Sequence, residues 1–426
     1  MNDFKLIDGT VTTPLGFTAN GVCAGVKAAT NAGIATNAMQ ANEPLQATSG
    51  KRDLAMIYCE RPCAAAAIFT KNLVKSDTIY VTQKHLENGV AQAVIVNSGN
   101  ANACNPDGAE KAEAMCRLAA QALDVDENDV IVASTGVIGQ PLPLEPIKNG
   151  VAKLKGTLSK DGGTNAAEAI MTTDTIKKEW AATLTLDGKT VTIGGIAKGS
   201  GMIHINMGTT LSFVTTDAAI SAEMLKSALI EAADVSYNMV SVDGDTSTND
   251  TLAIMASGLA GNTEITEKND DYRAFVSALT EAFKNVAKKL AADGEGATKL
   301  IICKLSGAKD DECAKTIAKS IICSSLVKAA MFGADANCGR ILCAVGYSGA
   351  EVDVHKIDVS YKSAKGEILV CKNGNGLSFD EDKAKEILLE KEIDIIVKLG
   401  DGSGSAEAYG CDLTYDYVKI NGDYRT

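Results

Sequence analysis

The chain reads as an α/β protein of α+β layered-sandwich type. Three observations predict this. Short apolar runs suited to buried strands recur in both halves, segments with helical spacing lie between them, and Gly/Asn-rich turns separate the two. In the first half, residues 91–96 form a buried-strand run leading into the polar loop at 97–106. Residues 110–123 have helical spacing, and 130–133 form a second strand ending in Ser134-Thr135-Gly136-Val-Ile-Gly139. Residues 183–193 alternate around Asp187-Gly188, the signature of a two-residue hairpin.

The second half opens with a strand at 211–216. Helices are expected at 222–233, 272–292 and 309–330, with a charged surface helix at 380–391. Strands are expected at 300–304, 341–344, 356–359, 367–370 and 393–397. The stretch 28–50, rich in Ala, Thr, Asn and Gln, reads as a surface loop. No solenoid-length repeat is present.

Composition narrows the function classes. Hydrophobic residues make up 46% of the 426, but aromatics only 4%, so the core must be packed from Ala, Val, Ile and Leu. A formal net charge of −13 without a dense Lys/Arg run argues against a nucleic-acid partner. No window reaches the ~20 apolar residues of a membrane span, and Met1–Asp8 lacks the layout of a secretory signal. The 12 cysteines form no Cys-x2-Cys pair and there are only three histidines, which gives poor material for a metal site. Most of the cysteines sit in apolar runs and read as small core residues in a reducing, cytoplasmic setting. No Gly-x-Gly-x-x-Gly or P-loop pattern follows a strand, which disfavours a nucleotide cofactor.

The densest unusual segment is Lys198-Gly-Ser-Gly-Met-Ile-His-Ile-Asn-Met-Gly208-Thr209-Thr210, followed at once by the 211–216 strand. A glycine loop entering a Gly-Thr junction fits self-cleavage, in which the Thr209 hydroxyl attacks the Gly208 carbonyl. The product would carry its nucleophile and its base on one residue, because a free α-amine titrates at roughly 7.7–8. A turn followed by a strand fits the same dipeptide. Likewise Ser134-Thr135-Gly136 fits a plain turn, Lys198 a surface lysine, Glu295 a solvated loop after a helix, and 421–426 a frayed tail.

The ordered set of motifs resembles the ornithine acetyltransferase (glutamate N-acetyltransferase) family of arginine biosynthesis. It comprises Gly9-Thr-Val-Thr-Thr-Pro-Leu-Gly-Phe17, Val96-Asn-Ser-Gly-Asn-Ala-Asn-Ala-Cys104, Ser134 to Gly139, and Ala169-Ile-Met-Thr-Thr-Asp-Thr175. After these come Ala197 to His204, Ser241-Val-Asp-Gly-Asp-Thr-Ser-Thr-Asn-Asp250, Asp293-Gly-Glu-Gly-Ala-Thr-Lys299, Gly333-Ala-Asp-Ala-Asn337 and Asn421-Gly-Asp-Tyr-Arg-Thr426. The resemblance implies a self-cleaving N-terminal-nucleophile-like acyltransferase fold, cut into chains 1–208 and 209–426. It makes Thr209 the nucleophile and Thr135 and Gly136 the oxyanion hole. Thr172, Lys198, Thr209, Glu295, Asn421 and Thr426 become substrate contacts, with Thr173 an adjacent candidate.

The reaction implied is acetyl transfer from N-acetylornithine to glutamate through an acetyl-enzyme, with no metal and no cofactor, in a cytoplasmic α2β2 assembly. Three alternatives stand beside it: a bifunctional form that also takes acetyl-CoA as co-substrate, an N-terminal-nucleophile amidohydrolase, and an uncleaved binding or scaffold protein. The chain departs from the family pattern at Ile205 (commonly Pro), Gly208 (commonly Ala), Thr210 (commonly Met) and Cys338 (commonly Trp), and its 28–50 stretch is long.

Overall fold

A computed structural model describes residues 4–37, 50–204 and 210–423. Along the first half run β1 (Lys5–Ile7), β2 (Phe17–Val22), α1 (Val26–Asn37), β3 (Leu54–Phe69), α2 (Asp77–His85), β4 (Val90–Asn100) and α3 (Gly108–Leu123). Then follow β5 (Val130–Val137), α4 (Leu144–Leu154), α5 (Gly163–Ala169), β6 (Lys178–Leu186), β7 (Lys189–Lys198) and β8 (Ile203–His204). The second half begins with β9 (Leu211–Thr216), α6 (Ala222–Asp234), β10 (Ser241–Thr246), β11 (Thr251–Ala256), α7 (Asp270–Ala292) and β12 (Leu300–Ala308). It continues with α8 (Asp311–Cys323), α9 (Ser325–Phe332), α10 (Cys338–Gly346), β13 (Asp358–Ser363), β14 (Gly366–Lys372) and β15 (Asn375–Gly376). It ends with α11 (Glu381–Leu388), β16 (Glu392–Lys398), β17 (Gly404–Cys411) and α12 (Tyr415–Asp423).

Strands and helices mix in both halves, as an α/β layered protein requires. A nine-stranded sheet has the order β1-β6-β7-β9-β11-β3-β4-β5, with β2 also paired to β3. A six-stranded sheet, β15-β14-β13-β16-β12-β17, is built wholly from the second half. β9 lies inside the large sheet, antiparallel to β7 and parallel to β11. All six residues of β9 and all six of β11 are buried, the mark of strands covered on both faces.

The two faces of β9 go to different cores. Leu211 and Phe213 join the layer with Phe17, Ile57, Ala166 and Met255, under α5. Val214 joins the layer with Trp180, Leu225, Leu279 and Phe283, under α6 and α7. This alternation is the period-2 geometry of a strand expressed as packing. The core is aliphatic, but its few rings cluster: Phe283 meets Trp180 and Tyr237 edge-to-face at 6.0 and 4.9 Å.

Several local expectations hold. Asp187 and Gly188 both take positive φ, 47° and 69°, and close the β6–β7 hairpin. The α7 helix starts at Asn269, whose side chain accepts from Tyr272 N, and carries Asp270 and Asp271 in its first turn.

Others are corrected. The stretch 28–50 is not a loop throughout: α1 runs to Asn37, and the Asp53 carboxylate satisfies its opening N–H groups at Ala24, Gly25 and Lys27. Residues 38–49 lie outside the described part. The helix expected at 309–330 is two helices, broken at Ser324, whose non-helical backbone (φ −66°, ψ 113°) and hydroxyl start α9. The strand expected at 341–344 is part of α10, where Ile341, Ala344 and Val345 bury one helical face and Asn337 caps the start. Of the 356–359 strand, pairing begins only at Asp358; Val354–Lys356 is a short 3-10 turn capped by Asp353. The 380–391 helix ends at Leu388 and is only partly a surface helix, since Ala384, Ile387 and Leu388 are buried.

The 12 cysteines are all free thiols, but only six are buried; Cys104 and Cys343 are exposed. Among the described residues no group of His, Cys, Asp and Glu side chains could hold a metal ion. No described helix is long and apolar enough to cross a membrane.

Candidate active site

The ends of β5, β7 and β9 meet at one cleft. It is lined by Thr135, Lys198, Gly199, Gly201, Met202, Ile203, Thr210, Leu211, Ser247, Asn249 and Asp250. Thr209 and Gly208 themselves, like Thr426, lie outside the described residues; the cleft is defined by their neighbours in the chain and in the sheet.

Thr135 and Gly136 end β5, which is parallel to β4 in a register that sets Asn97 opposite Ser134 and Gly99 opposite Gly136. Two contacts fix this corner. Ser134 Oγ donates to Asn97 Oδ1 at 2.6 Å, and Asn249 Nδ2 donates to both Ser134 O and Ala101 O, at 2.7 and 2.6 Å. Gly136 has φ +132°, and a Cβ there would stand 2.3 Å from the Gly99 carbonyl carbon. No other residue fits this position.

Lys198 is not a surface lysine. It is 8% exposed at the end of β7, and its ammonium donates to Thr135 Oγ1 at 3.2 Å. With one lone pair of Thr135 Oγ1 occupied, the hydroxyl proton is free to donate elsewhere. Burial lowers the Lys198 pKa against the pull of Asp174.

Behind Lys198 lies a buried charge network. Lys178, with its side chain fully enclosed, pairs with Asp174 at 2.7 Å and Asp293 at 2.5 Å. Asp174 also accepts from Gly199 N at 2.7 Å and from Thr172 N at 3.1 Å. Burial pushes the Asp174 carboxyl up, but Lys198, Lys178 and the Gly199 N–H outweigh it and hold it below the usual range. Asp293 in turn accepts from the Thr175 hydroxyl and, through its carbonyl, from Ser200 Oγ at 2.7 Å. The segment carrying Thr172 is thereby tied to the glycine loop after β7 from below.

Glu295 follows α7 in a tight turn. Its N–H donates to Ser200 O at 3.0 Å, and its carboxylate packs on Gly201, where a Cβ would come within 2.4 Å of it. Asn421 Nδ2 donates to Glu295 Oε2 at 2.8 Å. The C-terminal segment is therefore not a frayed tail up to Asp423: it forms α12, which lies across Gly296. Lys198 leads into the Gly199–Met202 loop and Glu295 packs on it, while Thr172 is tied to it through Asp174 and Asn421 through Glu295; of these four only Lys198 lines the cleft. Thr173 is half-buried beside Thr172 and does not line the cleft.

Two acidic residues, Asp250 in the cleft wall and Asp243 behind Met202 and Ile203, stood in the sequence only as members of a motif string. Asp250 Oδ1 accepts from Thr210 N at 2.9 Å. Asp243, on β10, accepts from Met202 N at 2.6 Å and Ile203 N at 2.9 Å. The signal available was the run Ser241 to Asp250, unusually polar for a strand and the turn that follows it. Thr210 has φ +110° and Met202 φ +54°, both non-glycine residues in the left-handed half of the map. Each such position costs about 1–3 kcal/mol.

The sequence pattern of the ArgJ family matches residues 37–426. The arginine biosynthesis bifunctional protein ArgJ of Caldanaerobacter subterraneus subsp. tengcongensis is 48% identical over 423 residues, spanning 99% of this chain and 100% of its own. The protein of the same name from Symbiobacterium thermophilum is 48% identical over 419 residues, 98% of this chain and 99% of its own. Among solved structures, that of arginine biosynthesis bifunctional protein ArgJ from Bacillus halodurans is 46% identical and covers 50% of this chain and 98% of its own, with TM-score 0.47. The ornithine acetyltransferase of Mycobacterium tuberculosis, solved in complex with ornithine, is 37% identical and covers 48% of this chain and 99% of its own, with TM-score 0.41. With near-full-length relatives at close to half identity and a family pattern running through both halves, the chain belongs to the ArgJ family.

Proposed function

We propose that this chain cuts itself between Gly208 and Thr209 and then transfers acetyl groups from N-acetylornithine to glutamate, in arginine biosynthesis. The observation that carries the reading is the cleft at the head of β9. Lys198 and Thr135 meet there, beside Thr210 and Leu211 near the start of the 209–426 chain.

In the cut, the Thr209 hydroxyl oxygen bonds to the Gly208 carbonyl carbon and the Gly208–Thr209 C–N bond breaks. The hydroxyl proton ends on the Thr209 nitrogen. Water then splits the ester to give the Gly208 carboxylate and a free Thr209. In transfer, the Thr209 α-amine takes the hydroxyl proton as the oxygen attacks the acetyl carbonyl. Thr135 Oγ1 and the Gly136 backbone stabilise the oxyanion. Lys198 supports this by occupying the acceptor side of Thr135, which turns its proton toward the cleft. The departing ornithine leaves an acetyl-Thr209 ester, which the glutamate amine attacks to give N-acetylglutamate. Glu295, held by Asn421, faces the ornithine side-chain ammonium, while Thr172, Lys198 and Thr426 serve the remaining polar groups of the amino acid.

The two chains, 1–208 and 209–426, stay together, with β7 and β9 as neighbours in one sheet, and associate as α2β2 in the cytoplasm. No metal or cofactor takes part. A second reading adds acetyl-CoA as a donor to glutamate; it is favoured by the word bifunctional in the names of the relatives.

The test is isotope exchange. Labelled ornithine should enter N-acetylornithine with no glutamate present, as a ping-pong scheme requires. Absence of exchange, with glutamate needed for any label transfer, contradicts the acetyl-enzyme. Glutamate acetylation from acetyl-CoA alone separates the bifunctional form. Release of free acetate without acceptor would point to an amidohydrolase.

A further inference from the structure

The segment 205–209 is bracketed by two residues with matching peculiarities. Met202 lies before it and Thr210 after it. Both are non-glycine residues with positive φ, 54° and 110°. Each backbone N–H is taken by a carboxylate from the second half of the chain: Met202 N by Asp243 Oδ2 at 2.6 Å, and Thr210 N by Asp250 Oδ1 at 2.9 Å. A β-branched residue at φ +110° persists only if its surroundings hold it there.

We propose that Asp243 and Asp250 form a clamp on Met202 and Thr210, the described residues on either side of the scissile bond, and that they are positioning residues for self-cleavage at Gly208–Thr209. This rests on the self-cleavage reading above and adds to it two groups that fix the backbone on either side of the bond.

The rest of the surroundings agree. Asp243 makes three bonds to backbone N–H groups, at Met202, Ile203 and Asp245, so its side chain grips the turn rather than one atom. Asp250 is 3% exposed, and its Oδ2 has no hydrogen-bond partner among the described residues. The Thr210 N–H outweighs the Ser247 and Thr70 hydroxyls among the hydrogen-bond donors that act on this carboxylate. Thr210 O accepts from Thr251 N at 3.0 Å, so the residue is fixed on both its amide and its carbonyl side. Thr210 Oγ1 is also buried without a partner among the described residues. Burial pushes both carboxyls up, Asp250 to about 7. Retaining two such groups beside one loop, each spent on a backbone N–H, is costly unless the loop geometry is what they supply. After the cut, Asp243 belongs to the C-terminal chain and Met202 to the N-terminal chain, so this half of the clamp also joins the two products.

The experiment is a pulse of cell-free synthesis followed by a time course of intact and cleaved chain, read by mass. Wild type, Asp243→Ala, Asp250→Ala, Asp250→Asn and Thr210→Gly are compared. The clamp predicts cleavage at least ~10-fold slower in both alanine variants. Asp250→Asn keeps an oxygen that accepts from Thr210 N and should restore cleavage to within a few-fold of wild type. A purely structural role for the charge would not give that rescue. Thr210→Gly removes the strain with the carboxylate in place and should also slow cleavage, which decides the matter if Asp250→Ala fails to fold. Wild type cut at Gly208–Thr209 with Thr210→Gly and the alanine variants cut equally fast overturns the clamp alone. Every chain remaining intact, wild type included, overturns the self-cleavage reading and the clamp with it.

Discussion

Lys198 Nζ donates to Thr135 Oγ1 across 3.2 Å, joining the end of β7 to the end of β5 beside the head of β9. The contact links a residue assigned to substrate binding with one assigned to the oxyanion hole, and it gives the threonine hydroxyl a direction. Thr135→Val removes the donor while keeping the shape. Loss of one oxyanion donor typically costs 10²–10³ in rate, so kcat for acetyl transfer should fall by about that factor. Lys198→Met should also lower kcat, because the Thr135 proton is then free to point away. A steady-state assay with N-acetylornithine and glutamate checks both; an unchanged kcat in Thr135→Val contradicts the role.

Breaking the buried network should cost stability rather than chemistry alone. Lys178→Met leaves Asp174 and Asp293 facing each other without their shared cation. Removing one partner of a buried pair typically destabilises by about 3–5 kcal/mol. Denaturant unfolding should show a loss of this size. A loss under ~1 kcal/mol indicates that water or rearrangement compensates the two carboxylates.

Gly136→Ala should destabilise the corner at the end of β5. The added Cβ meets backbone, the Gly99 carbonyl carbon at 2.3 Å, and φ +132° is unfavourable for any L side chain. The cost should be at least ~2 kcal/mol, with activity lost in the fraction that folds.

Asp250 gives a pH dependence with a definite sign. Burial raises its pKa from 3.8 to about 7, although the Thr210 N–H, the nearby Ser247 and Thr70 hydroxyls and Lys198 all pull it down. A carboxyl raised in the folded state favours the neutral form there. Its contribution to stability is complete below its unfolded value and is lost as pH rises through about 7. Asparagine does not titrate. The thermal midpoint of Asp250→Asn relative to wild type should therefore rise between pH 4 and pH 8. A flat or falling difference contradicts the burial argument.

Glu295 and Asn421 should act on binding. If Glu295 meets the ornithine ammonium equally in ground and transition states, Glu295→Gln raises KM for N-acetylornithine with little change in kcat. A rise of about 10–100-fold is expected, and a smaller one for Asn421→Ala, which only loosens the carboxylate. A fall in kcat at constant KM would instead place Glu295 in the chemistry.

What was legible in the sequence was what local pattern controls. The Asp187-Gly188 hairpin, the β9 alternation and the long α7 each carry their signal within a few residues. The short run 341–344 does not, because four apolar residues satisfy both periods; only the Asn337 cap and the burial of Val345 reveal a helix. Ser324 sits in a run of helical period and breaks it through its own backbone and hydroxyl, a choice that packing makes.

At the site, the family motifs brought out Thr135, Gly136, Lys198, Glu295 and Asn421; the fold sets Thr135 against Lys198 in the cleft and Glu295, bonded to Asn421, on the glycine loop that follows Lys198. The burial of Lys198 was invisible, because it depends on Asp174 and Lys178 from other segments. Asp243 and Asp250 escaped notice for a related reason. Their partners are backbone N–H groups, which leave no side-chain pattern to read.

The central claim is the cut itself, and intact-mass measurement of the purified protein with N-terminal sequencing tests it most directly. The account predicts two chains, residues 1–208 and 209–426, the second beginning at Thr209, and a single intact chain in Thr209→Ala. An intact wild-type chain after prolonged incubation at neutral pH, or a cut at any other bond, contradicts it.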